Sequence, residues 1–316
     1  MDLVPIVDIS QPTTTSLADL DRACRDHGFF LLAGHGLDHL INRTWAETAR
    51  FFDADRSIRL AITRDAENPF GFFDRELTKR KRDHKEVFDF IDPSHPTQNA
   101  RNRWPSELPG FRDTMTELFD ALSVLTDRTL GLIHDALDLS PTGRSHIVSS
   151  RQSSTIRLNH YTVGDPVPAE ERQGLADLGE TALGYHTDPG TITLLLQDNT
   201  GGLQTESLDH GWIDVPPCEG TIVVNLGDCM QAWTNDRYRA AVHRVIPMTR
   251  QRRFSIPYFS NPGRETIVEP VAELCEGNPR YRPFGWREFM AARAYDNFTD
   301  LGVDDTQVTD YRITTS

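Results

Sequence analysis

A chain of 316 residues with 38% hydrophobic and 25% charged side chains can bury one large core or two smaller ones, and this composition argues against a disordered polymer. The formal net charge of -14 excludes non-specific binding to nucleic acid or to an anionic membrane, since both require basic surface. No apolar run is long enough to span a bilayer and the start "MDLVPIVDIS" lacks the basic and apolar regions of a secretory signal, so the expectation is a cytoplasmic protein.

Along the chain, "VPIVDIS" alternates as a first strand, and "SLADLDRACRDHG" reads as a helix opened by Ser16 with Asp19 three later and stopped by Gly28. "FFLLAGHG" follows as a buried strand, then a helix through "INRTWAETARFF", then loops containing "NPFGFF" and "KEVFDFIDP". The three lysines, Lys79, Lys81 and Lys85, sit together in "TKRKRDHKE". Glu76, Asp83 and Glu86 lie among or beside them, so a solvated surface segment is expected there and not a nucleic-acid patch. After Pro105 and Pro109, the stripe Phe111, Met115, Leu118, Phe119, Leu122, Leu125, Ile133 and Leu137 predicts a long amphipathic helix, with His134 on its surface.

From residue 151 the pattern becomes short strands parted by Gly, Pro and Asn turns: "TIRLNHYTV", "GTITLLLQD", "GLQTES", "GWIDVPP", "GTIVVNLGD", "AVHRVIPM" and "RFSIPYFSN". So many strands in succession predict a sandwich or jelly roll, with the polar stretch 164–180 as an insertion or lid and "GWREFMAARAYDNF" as a closing helix. The cysteines Cys24, Cys218, Cys229 and Cys275 are scattered without a CxxC pair and read as reduced, mostly buried thiols.

Chemistry concentrates in "GYHTDPGTITLLLQD". His186 and Asp188, two apart at a strand end, share a face, and of eleven histidines only His186 has Asp at i+2. His243, flanked by apolar residues in "AVHRV", is the candidate third ligand. His84 with Glu86 is a rival pair, but no apolar strand stands behind it. Two His and one carboxylate with half the coordination sphere open make the facial triad of non-haem Fe(II) oxygenases, and a zinc hydrolase can use the same set. A ferrous site of this kind keeps a net charge near +1 and suits a dianionic chelating cosubstrate. Ten residues after His243, Arg253 and Ser255 share one face of the next strand, a guanidinium fork and a hydroxyl suited to a carboxylate.

Together these elements resemble the iron(II)- and 2-oxoglutarate-dependent dioxygenases of the isopenicillin N synthase-like group. "VPIVDIS", "GFFLLAGHG", "RDHKEVFDF", "RLNHY", "HTDPGTITLLLQD", "GGLQ", "VVNLGD", "WTNDRYRAAVHRV" and "RFSIPYF" follow one another in that family's order. The resemblance implies a mainly β fold with flanking helices, a double-stranded β-helix (jelly roll) core and an N-terminal α/β extension. It divides the chain into an N-terminal α/β region over 1–105, a supporting helix over 106–150, a catalytic core over 151–262 and a C-terminal helical segment over 263–316.

It also implies that His186, Asp188 and His243 bind Fe(II), and that Arg253 and Ser255, with Tyr161 and Asn159, hold 2-oxoglutarate. Arg157, Phe259 and Tyr185 would face the organic substrate, Tyr185 narrowing the pocket. "VVNLGD" and Gly227 would form a structural turn. Oxygen, 2-oxoglutarate and a small organic metabolite would then give succinate, carbon dioxide and an oxidised, most simply hydroxylated, product. Aromatic residues such as Phe70, Phe72, Phe73, Phe88, Phe90 and Trp233 are candidates for lining a pocket, and the expectation is a partly apolar natural product or hormone-like acid. Two other readings are an oxidase of the same fold that uses no 2-oxoglutarate and an inactive jelly-roll binding protein. The sequence fixes neither oligomeric state nor pathway.

Overall fold

The computed structural model describes residues 4–78, 80–207, 210–294 and 306–313. Its larger sheet has eight strands in the order Ile6–Asp8, Phe29–Ala33, Thr221–Leu226, Ile192–Gln197, Arg253–Ser260, Thr155–Tyr161, Lys85–Ile91 and Gly71–Phe73. A four-stranded sheet, Gly211–Asp214, Leu203–Ser207, His243–Val245 and Leu183–His186, completes the jelly roll. Neighbours in both sheets run antiparallel except Ile6–Asp8, which pairs in parallel with Phe29–Ala33.

The central strands are apolar on both faces because they serve two cores. Phe30, Leu32, Ile222, Val224, Leu194 and Leu196 face the helices. Their alternates Phe29, Leu31, Val223 and Leu195 pack inside the roll with Leu203, Ile213 and Val245 of the smaller sheet. The predicted long helix is present as Phe111–Ala136, and all eight residues of its expected stripe are buried. Phe111 stacks on Phe51 with ring centroids 5.2 Å apart, and Phe119 meets Tyr258 of the sheet edge-on at 5.3 Å.

Several expectations need correction. The first helix runs Thr14–Asp26 and its capping box is Thr13 with Ser16, one turn earlier than the Ser16 start; Thr13 accepts from the Ser16 backbone while Ser16 accepts from that of Thr13. "NPFGFF" and "KEVFDFIDP" are not loops but contain the strands Gly71–Phe73 and Lys85–Ile91, the latter buried along its whole length. The N-terminal region therefore supplies four of the eight strands of the larger sheet.

The charged segment is also not solvated: Arg82, Asp83, Lys85 and Glu86 are buried, with Lys85 only 2% exposed. Pairing makes this tolerable. Arg82 forks onto Asp165 at 2.9 and 2.8 Å, pinning the 164–180 stretch, and Lys85 Nζ lies 3.0 Å from Glu76 and 3.1 Å from Asp83. Lys79 lies outside the described residues. His134 is half-buried, its Nε2 donating to the Ile147 carbonyl at 2.9 Å. The closing helix is described over Trp286–Ala294, and the remainder of "GWREFMAARAYDNF" lies outside the described residues.

Candidate active site

His186 ends its strand, Asp188 lies in the turn that follows, and His243 pairs across the small sheet with His186. Their ligand atoms lie within 4.8 Å of one another, with Asp188 Oδ1 at 3.7 Å from His186 Nε2 and 3.8 Å from His243 Nε2. Each ring is fixed by its own strand. His186 Nδ1 donates to the Gly184 carbonyl at 2.8 Å and His243 Nδ1 to the Ala241 carbonyl at 3.0 Å. A carbonyl only accepts, so the protons sit on Nδ1 and both Nε2 atoms present lone pairs to the same point. Desolvation, then the neighbouring His243, push the His186 imidazolium down to about 3, which keeps the ring neutral.

Asp188 is buried and held from behind. Its Oδ2 accepts from the Thr193 hydroxyl at 2.5 Å and from Asn225 Nδ2 at 2.8 Å, leaving Oδ1 for the histidine side. Burial pushes this carboxyl up, but the two imidazoles and the two hydrogen bonds outweigh it and hold it below its ordinary value. The predicted turn at "VVNLGD" is the entry to a short helix, Asp228–Trp233, whose Asp228 and Cys229 amides donate to the Asp188 and Gly190 carbonyls at 2.8 and 3.2 Å. A side chain at Gly227 would run into the Gly190 carbonyl, so the close approach requires glycine.

The same cavity, about 260 Å³, is lined by Arg253, Ser255, Asn159 and Tyr161. Strand register brings them together: Arg253 lies opposite Tyr161 and Ser255 opposite Asn159. The Asn159 amide donates to Ser255 Oγ at 3.3 Å, and the Arg253 guanidinium stands 4.9 Å over the Tyr161 ring. Arg253 is 1% exposed, yet among the described residues its Nε and Nη1 meet no hydrogen-bond partner and its Nη2 reaches only Gln197 at 3.5 Å. A buried cation with unused donors fits an anionic ligand, and two imidazole lone pairs with a carboxylate oxygen fit a divalent transition metal.

Further along the same two strands, Arg157 and Phe259 also line the cavity. Arg157 is committed to protein partners, with Nε 2.7 Å from Asp89 and Nη1 2.9 Å from Glu76. Tyr185 is a correction. It is 52% exposed and turned away from the cavity against Trp212, because the residue beside an inward-facing strand histidine points outward. Phe72, Phe88, Phe90 and Trp233 belong to the helix-facing core, and neither they nor Phe70 and Phe73 line the cavity.

Sequence reasoning missed Thr193 and Asn225 behind Asp188, the wall of Glu76, Lys85 and Asp89, and the terminal-helix residues Met290 and Arg293. The polar Asn in "IVVNL" and Thr in "TITLLL" were the available signals.

Burial raises the Glu76 carboxyl, but Arg157, Lys85 and Arg64 outweigh this and hold it well below its ordinary value of 4.5. Glu76 therefore stabilises the fold above about pH 4.5 and loses that contribution as the pH falls through its folded value. Glu76→Gln should lower stability at pH 7 by about 3–5 kcal/mol and flatten the decline on acidification below about pH 4.5, read by urea unfolding across pH. Equal stability of variant and wild type at pH 7 would show that the network contributes no net stabilisation.

The comparisons with known proteins agree with this geometry. "Non-haem dioxygenase in morphine synthesis N-terminal" matches residues 4–107 and "2OG-Fe(II) oxygenase superfamily" matches residues 152–262. The chain is similar to gibberellin 2-beta-dioxygenase 1 of Arabidopsis thaliana, with 30% identity over 306 residues, 94% of this chain and 90% of that relative. It is 31% identical to a probable iron/ascorbate oxidoreductase of Dictyostelium discoideum over 307 residues, 87% of this chain and 84% of the relative. A full-length Neurospora crassa protein crystallised with alpha-KG and 5-formyluracil matches with a TM-score of 0.78 and 26% identity, covering 92% of this chain and 95% of that one.

The chain belongs to the 2OG-Fe(II) oxygenase superfamily. It is an iron(II)- and 2-oxoglutarate-dependent dioxygenase, an oxidoreductase that uses dioxygen to oxidise a small organic molecule. Among the described residues, no helix is long and apolar enough to cross a membrane.

Proposed function

We propose that His186, Asp188 and His243 hold the iron, and that Arg253, Ser255, Tyr161 and Asn159 hold 2-oxoglutarate. The observation that carries this is the convergence of three metal-ligand atoms in the same cavity as a buried guanidinium with unused donors. Iron bound there would supply a chelation point for the 2-oxo acid and the one-electron chemistry that dioxygen needs. The net reaction takes a substrate C–H, 2-oxoglutarate and O2 to the C–OH product, succinate and CO2.

The protein's own part is placement. The Gly184 and Ala241 carbonyls aim the two imidazoles, Thr193 and Asn225 aim Asp188, and Arg253 with Ser255 takes the distal carboxylate of the cosubstrate. Phe259 and Met290 keep water from the reacting C–H bond. The division into 1–105, 106–150, 151–262 and 263–316 is supported by the family matches and by the helix Phe111–Ala136 between them. A cytoplasmic location is supported by the four free cysteines.

The test is anaerobic. Fe(II) and then 2-oxoglutarate are added to purified apoprotein, and the visible charge-transfer band of the chelated ferrous complex is recorded for wild type and His186→Ala. The expected result is a band that needs both additions and His186. A full band in His186→Ala would overturn the ligand assignment, and iron binding without a 2-oxoglutarate band would overturn the assignment of Arg253 and Ser255.

A further inference from the structure

The strand register gives the cavity two ends. Arg253 and Ser255 stand opposite Tyr161 and Asn159 at one end, while Phe259 stands opposite Thr155 at the other, and Arg157 lies between with Asp89 opposite it on the next strand. The wall near Arg157 is a buried network of three cations and three carboxylates. Arg157 and Arg64 each bridge Glu76 and Asp89, and Lys85 bridges Glu76 and Asp83.

The remaining lining charges are matched as well. Arg293, from the terminal helix, lies 3.9 Å from Asp228 and donates to the Thr187 carbonyl at 2.6 Å. Iron(II) and Arg253 would be balanced by Asp188 and the 2-oxoglutarate dianion. Once the site is loaded, no lining cation among the described residues is left without a counter-charge, so a charged substrate would have to break an existing pair or be desolvated alone. Glu76, Asp89 and Arg157 all line the cavity, so carboxylate oxygens and a guanidinium stand side by side in one wall, which suits a group carrying both a donor and an acceptor.

We infer that the substrate is an uncharged small molecule with an amide-like or ureide-like end read by Arg157, Glu76 and Asp89, its apolar part lying against Phe259 and Met290. The inference rests on the iron and 2-oxoglutarate site proposed above. It replaces the expectation of a hormone-like acid.

The experiment is anaerobic titration calorimetry on the full chain loaded with Fe(II) and 2-oxoglutarate, using neutral and anionic molecules matched in skeleton. The pairs are phenylacetamide and phenylacetate, indole-3-acetamide and indole-3-acetate, and uracil and orotate. The expected result is at least roughly tenfold tighter binding of the neutral member of a pair, reversed or narrowed in Glu76→Gln, which leaves the wall one positive charge in excess. Asp89→Asn serves the same purpose should the first variant not fold.

Tighter binding of the acids to wild type, or no binding by any of the six at millimolar concentration, overturns the inference. Absence of the visible iron band would sink the site reading itself, whereas a normal band with acid preference sinks only the substrate class.

Discussion

Asp188→Ala is expected to abolish iron-dependent turnover while leaving a folded protein. In the proposed triad the carboxylate is the one negative ligand, so its loss would remove both a coordination bond and the charge that favours a dication. Loss of a partner behind a metal ligand typically costs about 10–100-fold in affinity or activity, and loss of the ligand itself should exceed that range. Asn225→Ala, which removes one of the two bonds aiming Asp188, should fall within it.

The folding cost of Asp188→Ala is smaller. The Thr193 hydroxyl and the Asn225 amide lose their acceptor, at about 1–3 kcal/mol each. Turnover measured as succinate release, with circular dichroism and iron titration on the same samples, checks this. A variant that binds iron and turns over like wild type would remove Asp188 from the site.

Arg253→Ala should raise the KM for 2-oxoglutarate roughly 10- to 150-fold, the equivalent of losing a charged hydrogen-bonding partner worth about 1.5–3 kcal/mol. Arg253→Lys should recover part of this, because a lysine ammonium restores charge without the two-pronged fork. Stability is expected to move the other way. Arg253 is a buried cation whose Nε and Nη1 meet no protein partner among the described residues, so its removal should leave the thermal midpoint of the apoprotein unchanged or raised. Unchanged KM in Arg253→Ala would mean that the cosubstrate carboxylate is held elsewhere. A large fall in the thermal midpoint would mean that the guanidinium is a structural brace.

What could be read from the sequence follows from distance along the chain. Arg253 and Ser255 are two residues apart in one strand, whose alternation puts them on one face, whereas His186 ends its strand and Asp188 joins it from the turn that follows, close because it is near in sequence. The long helix was legible because Phe111 to Leu137 repeat at helical spacing. The strand Lys85–Ile91 was not, because it is buried on both faces and its Lys85, Glu86 and Asp89 disguise it as surface; partners from other elements, among them Glu76, Arg59 and Arg157, make their burial possible. Asn225 is marked only by being polar within "IVVNL", and Arg293 reaches the site from a separate element with no local pattern to announce it. Tyr185 is next to His186 in sequence, but strand alternation turns the two apart, so its place beside a candidate ligand carries no information about the pocket.

The two proposed metal-binding histidines belong to the small sheet, whereas Arg253, Ser255, Asn159 and Asp188's supports Thr193 and Asn225 belong to the large one. The reactive centre therefore exists only while the two halves of the roll are clasped. A chain that has opened along this seam loses its grip on iron and on the oxo acid in the same motion. Oxidising chemistry is thus confined to molecules whose walls are already closed around it, a safeguard that arises from the topology and needs no separate gate.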